Sequence, residues 1–159
     1  MLTEKQIKEI KEHLEKAQNP IFFYDNDPDG LCSFLLLQRY IERGMGVAIR
    51  SFPELDVNYF RKIEELGGDY IFILDKPMVS QGFWKEVENV NLPVVWIDHH
   101  DVGSREGTPE FVNYYNPVFN KSKTFEPVTA LCWQISNSRK EDLWIAVVGC
   151  VFDHFIPDF

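Results

Sequence analysis

Leu92-Pro93-Val94-Val95-Trp96-Ile97-Asp98-His99-His100 runs six mostly apolar residues into an acid and two imidazoles. The apolar half reads as a strand buried on both faces, because it is continuous and does not alternate with polar residues. The polar half starts where that strand stops. Carboxylate and imidazole are the side chains that hold a divalent transition metal or carry protons near neutral pH.

Two upstream runs end the same way. Residues 70–74 form an apolar strand that stops on Asp75, and the short run 21–24 stops on Asp25. A further strand is expected over 47–52 and a fifth, edge-like one over 111–115. Helical spacing of apolar residues predicts helices over 3–17, 31–43, 58–66, 81–88, 127–136 and 141–152. Thr3 and Gln6 fit a capping box at the first, and Gly44 fits a cap after the second. Loops are expected over 53–56 and 103–109, with an irregular stretch over 116–126. The segment 145–152 is apolar all round, so it is expected to be buried. Strands alternating with helices, and apolar on both faces, predict an α/β fold: a mostly parallel five-stranded sheet with helices on both faces. In such sheets ligands bind outside the carboxyl ends of the strands, which is where three aspartates stand.

Composition narrows the function classes. With 159 residues the chain suits one domain with a real core. No apolar run approaches the ~20 residues that span a bilayer, and the N-terminus lacks a signal-peptide pattern, so no membrane role and a cytoplasmic location are expected. The net charge of −9 argues against a broad electrostatic footprint for duplex nucleic acid. Cys32, Cys132 and Cys150 have no Cys-x-x-Cys spacing and sit among apolar residues, so they read as small buried hydrophobes.

Four groups carry the chemistry. Asp25, Asp27 and Asp29, with Gly30, stand on a tight turn; three such carboxylates stay ionised together only around a cation, although Asp29 could simply cap the next helix. Asp75 is the second group, and Lys76-Pro77 after it orients an anion or only turns the chain. Asp98-His99-His100 is the third. Asp153-His154 is the fourth, and an acid at a helix C-terminus opposes the helix dipole unless a cation compensates it. Oxygen and imidazole ligands without thiolate suit manganese or magnesium better than zinc. Two such ions would activate a water and clamp a phosphoryl group, so phosphate ester hydrolysis is the expected reaction type.

These residues carry a resemblance. Phe22-Phe23-Tyr24-Asp25-Asn26-Asp27-Pro28-Asp29-Gly30-Leu31-Cys32-Ser33, Phe72-Ile73-Leu74-Asp75, Asp98-His99-His100 and Val148-Gly149-Cys150-Val151-Phe152-Asp153 resemble, in order and spacing, the motifs of the DHH phosphoesterase superfamily. That superfamily includes RecJ-type nucleases, oligoribonucleases, cyclic-dinucleotide phosphodiesterases and family II pyrophosphatases; the stretch 149–157 looks closest to the RecJ and archaeal branch. The resemblance implies a Rossmann-like DHH domain and a hydrolase using Mn²⁺, two ions with Mg²⁺ as the alternative. It implies metal ligands at Asp27, Asp29, Asp75, Asp98, His99 or His100, and Asp153, with Asp75 bridging and His99 the favoured imidazole. Asp98, His99 and His100 would be the catalytic triplet, and His100 would alternatively hold substrate phosphate. Family members carry a histidine before the first turn; here Phe23 or Asp25 stands there, and Asp25 could serve as an oxygen ligand. The implied partners are phosphodiesters: single-stranded nucleic-acid ends, oligonucleotides or nucleotides, as for an exonuclease. Residues 1–159 are then expected to be the catalytic domain alone, without the C-terminal substrate-binding domain. A rival expectation is a catalytically degenerate DHH domain serving as a scaffold for replication or repair proteins.

Overall fold

The computed structural model describes residues 1–103 and 107–157. Residues 104–106 of the expected loop, and 158–159 of the expected domain, lie outside them. The elements in chain order are α1 (Glu4–Lys16), β1 (Pro20–Asp25), α2 (Pro28–Ile41), β2 (Met45–Ile49), β3 (Glu54–Leu55), α3 (Arg61–Leu66), β4 (Tyr70–Leu74), β5 (Met78–Val79), α4 (Gln81–Val90), β6 (Val94–Ile97), β7 (Val112–Tyr115), α5 (Val128–Ile135) and α6 (Leu143–Phe152).

Five strands form one sheet in the order β2-β1-β4-β6-β7, and every pairing is parallel. The edge-like strand expected over 111–115 is indeed the sheet edge, β7. Period-two alternation divides the side chains between two cores. Phe22, Phe72, Leu74, Val95 and Ile97 face a layer with residues of α1, α2, α5 and α6. Ile21, Phe23, Ile71, Ile73, Val94 and Trp96 face the opposite layer, with Ile63 of α3 and Phe83, Trp84 and Val87 of α4. The three cysteines are buried and unpaired. Burial raises the Cys32 thiol to about 11 and that of Cys150 to about 12, so both stay protonated and inert.

The strand order places the site. From β1 the chain moves outward to β2, then returns past β1 to β4 and continues the other way. The loops after β1 and β4 therefore diverge, and a crevice opens between them at the carboxyl edge.

Several local expectations need correction. The second strand is Met45–Ile49 and not 47–52, because its pairing with β1 ends at Asp25↔Ile49. The chain then forms β3, which pairs in parallel with β5 in a two-stranded sheet that short-range patterns do not show. Helix α2 begins at Pro28, not at 31, since proline suits the first helical position. Glu42, in the left-handed region at φ 57°, caps it in place of Gly44. The stretch expected as one helix over 58–66 is a 3-10 turn, Val57–Tyr59, followed by α3. Finally, α6 is not buried all round. Ile145, Ala146, Gly149 and Cys150 pack inward against α2 and α5, while Trp144, Val148, Val151 and Phe152 face outward, with Trp144 64% exposed. A short helix lying on one layer buries one face, whatever its other side chains are.

Candidate metal centre

The turn after β1 is built by its own side chains. Asp27 is the N-cap of α2, and its Oδ1 accepts from Gly30 N at 2.8 Å. The cap is thus Asp27 and not Asp29. A Cβ on Gly30 would fall on the backbone of Asp25, 2.7 Å from its nitrogen, so only glycine lets the turn close this tightly.

Asp29, released from capping its own helix, caps another. Its Oδ2 accepts from Val128 N at 2.9 Å and its Oδ1 from Thr129 N at 2.7 Å. These are orphan amides of α5, whose own N-cap is Pro127 and offers no side-chain acceptor. The Thr129 hydroxyl donates to Asp29 O at 3.0 Å. Asp29 is 1% exposed; burial raises its carboxyl, against the Thr129 and Val128 hydrogen bonds and the nearby His99.

Asp75 stands just past β4, with its backbone at φ +58°. It is almost fully buried, and its Oδ1 has no hydrogen-bond partner among the described residues. Burial pushes the carboxyl well above the usual range, and the charges of Asp29, Asp27 and Asp98 push it further, opposed by His100. An orphaned carboxylate oxygen among acids is the environment a bound cation satisfies.

The two histidines diverge. His99 Nε2 lies 3.3 Å from Asp75 Oδ1 and 3.9 Å from Asp29 Oδ2, and its Nδ1 lies 3.8 Å from Asp153 Oδ2. His100 turns Nδ1 to Asp98 Oδ1 at 2.7 Å, with Asp75 Oδ1 at 4.0 Å. Burial works to lower the His100 pKa, but the hydrogen bond and charge of Asp98 outweigh it, and the net shift is upward.

Among the described residues two groups have ligand atoms close enough to share an ion: Asp75, His99 and His100, and Asp29, His99 and Asp153. The structure thus gathers five of the sequence-derived candidates. It does not bring Asp98 into either group. Asp98 is fully buried, and its Oδ2 accepts from Tyr114 Oη at 3.2 Å, Asn116 Nδ2 at 3.3 Å and His100 N at 3.2 Å. It orients His100 from behind. Asp27 belongs to the turn, near enough for its charge to raise Asp75. Asp25 is engaged elsewhere: its Oδ1 accepts from Asn26 N at 2.9 Å and from Lys76 Nζ at 3.1 Å. Sequence reasoning missed Tyr114, Asn116, Thr129 and the role of Lys76. Tyr114 and Asn116 flank the end of an edge strand and carry no motif; a fully buried lysine leaves no local signal either.

The donor set, carboxylate and imidazole around an unsatisfied buried oxygen, fits a divalent metal such as manganese. Fold and site together define an α/β domain with a metal-binding cluster at the carboxyl edge of its sheet. The model of the DHH family, N-terminal domain, matches residues 21–152, and the chain belongs to that family. It is therefore a domain of metal-dependent phosphoesterase type. Solved structures agree on the fold. The exonuclease RecJ bound to manganese superposes with a TM-score of 0.74 at 17% identity, covering 96% of this chain and 44% of that one. RecJ from Thermus thermophilus in complex with Mn²⁺ gives 0.70 at 17% identity, covering 95% and 24%. The DHH domain of a member of a family of ribosomal proteins gives 0.74 at 15% identity, covering 97% and 44%. The chain thus spans less than half the length of each of these three structures. No curated protein matches it by sequence. Among the described residues no helix is long and apolar enough to cross a membrane.

Proposed function

We propose that this chain is the metal-holding catalytic domain of a phosphodiesterase that acts with Mn²⁺ on nucleic-acid ends, oligonucleotides or nucleotides. The observation that carries the reading is the orphaned Asp75 Oδ1, buried beside His99 Nε2. Asp29, Asp75, His99 and Asp153 would hold the metal, with His100 beside them. The two ligand groups overlap at His99, so they describe one centre, and the carboxylates around it would be enough to hold a second ion. Bound metal supplies Lewis-acid activation of water and neutralises charge on the phosphoryl oxygens. Asp98 holds the His100 ring by Nδ1, which leaves Nε2 to donate a proton or hydrogen bond to a phosphate oxygen. Substrate recognition would rest largely on polypeptide outside these 159 residues; this is supported by the length of the RecJ structures, of which the chain spans 24% and 44%.

Calorimetric titration with Mn²⁺, combined with hydrolysis of bis(p-nitrophenyl) phosphate, tests this. Asp75→Asn is expected to weaken Mn²⁺ binding about 100-fold or more and to abolish turnover. Unchanged Mn²⁺ binding in that variant would sink the proposal. A second reading, a degenerate DHH domain acting as a scaffold for replication or repair proteins, is favoured by the outward apolar face of α6. It predicts Mn²⁺ binding without turnover of any phosphodiester.

A further inference from the structure

Lys76 is 0% exposed and adjoins the ligand Asp75. Its Nζ donates to Asp25 Oδ1 at 3.1 Å and to Ser51 O at 2.9 Å, and lies 5.7 Å from the centre of the Phe52 ring. Its own carbonyl is fixed by Trp96 Nε1 at 2.9 Å. An ammonium is kept in such a place only where a carboxylate and further acceptors replace its water, and Asp25 is the sole carboxylate bonded to it among the described residues. The same Asp25 oxygen also takes the Asn26 amide. Asp25 is absent from both ligand groups found among the described residues, although it stands in the same acidic turn as Asp29.

We propose that Lys76 is a resident cation of this centre: it neutralises Asp25, removes it from the ligand set and confines metal to the side formed by Asp29, Asp75, His99, His100 and Asp153. This deepens the metal-site reading and rests on it. A divalent ion on Asp25 would sit within a few ångströms of the ammonium, and like charges that close, away from bulk water, repel strongly. The lysine does at one end of the cluster what a metal does at the other. It lowers the total negative charge without needing to be loaded, which lets the acidic turn close in the metal-free protein. Asp25 therefore acts as the counter-ion of Lys76.

Mn²⁺ binding counted by electron paramagnetic resonance of the free ion, with affinities from calorimetry, tests this without relying on turnover. Lys76→Met/Asp25→Asn, which removes ammonium and carboxylate together, is expected to leave the number of bound ions and their affinity within about twofold of the wild type. Lys76→Met is expected to bind one more Mn²⁺ per chain, and the double variant Lys76→Met/Asp25→Asn to lose that extra ion. Lys76→Arg, which keeps the charge, should bind as the wild type does. A tenfold or greater weakening in the folded double variant overturns the proposal while leaving the metal site standing, and it decides the matter even if Lys76→Met alone does not fold. A folded Lys76→Met that gains no ion also overturns it. No Mn²⁺ binding by the wild type overturns the metal reading and this one with it.

Discussion

His99 presents one ring nitrogen to Asp75 and Asp29 and the other to Asp153, whereas His100 commits Nδ1 to Asp98. Adjacent residues at a strand end point to different sides, so one imidazole reaches the shared ligand atoms and the other is oriented from behind. His99→Ala is expected to weaken Mn²⁺ binding about 100-fold or more, because it removes a member of both groups. Asp98→Asn, a supporting change, should cost ~10–100-fold. Calorimetry on the two variants checks the order, and an equal or reversed loss would contradict the division of labour. Asp98, His99 and His100 were legible in the sequence as one group of candidate residues at a strand end. Their separate roles were not, since those depend on Tyr114 and Asn116 at the end of β7.

Helices α2, α5 and α6 position the candidate ligands. Asp29 on α2 caps α5 through two backbone amides, and α6 ends on Asp153, which faces His99. Helix α6 packs on α5 at Gly149. A Cβ there would fall on the Thr129 hydroxyl and lie 2.8 Å from Thr129 Cβ. Gly149→Ala is therefore expected to lower stability by ~1–3 kcal/mol, read as a lower urea midpoint with an unchanged slope. Because Thr129 also bonds Asp29, the same variant should weaken Mn²⁺ binding. Trp144→Gln, on the outward face of α6, should change stability by less than ~0.5 kcal/mol. The helical periodicity of these segments was visible in the sequence. Asp29 serving as the cap of a distant helix, α5, was not, because capping signals are read locally and this one acts across the fold.

At the scale of the whole molecule, the buried acids make stability depend on pH and metal in opposite senses. Asp75 and Asp29 titrate above their ordinary carboxylate values in the folded state, chiefly because of burial. The folded protein therefore binds more protons than the unfolded chain once the pH passes ~4, the ordinary carboxylate value. Their stabilising protonation is fully present below that pH and is lost as pH rises through the raised folded values. His100 is raised too, so its contribution is present below ~6.5 and fades as pH climbs through its folded value. The Tm of chelator-treated protein is expected to fall between pH 5 and 8, a window of ~5–8 chosen around these ordinary values. With Mn²⁺ added the trend should reverse, since ions and protons compete for the same oxygens. Calorimetric scans at several pH values check this, and Asp75→Asn should flatten much of the metal-free slope.

The sequence by itself determined the parallel α/β architecture, the capping box at Thr3, the buried cysteines and the placing of Asp25, Asp75 and Asp98 at strand ends. These follow from short-range causes: two-residue and helical periodicity, turn residues, and the point where an apolar run stops. Only the tertiary structure decided that Asp29, Asp75, His99, His100 and Asp153 meet, that Asp98 supports instead of joining them, and that Lys76 is sealed against Asp25. Strand order and helix docking settle those pairings. They are set by which apolar faces find one another across the sheet, and no stretch of neighbouring residues encodes that.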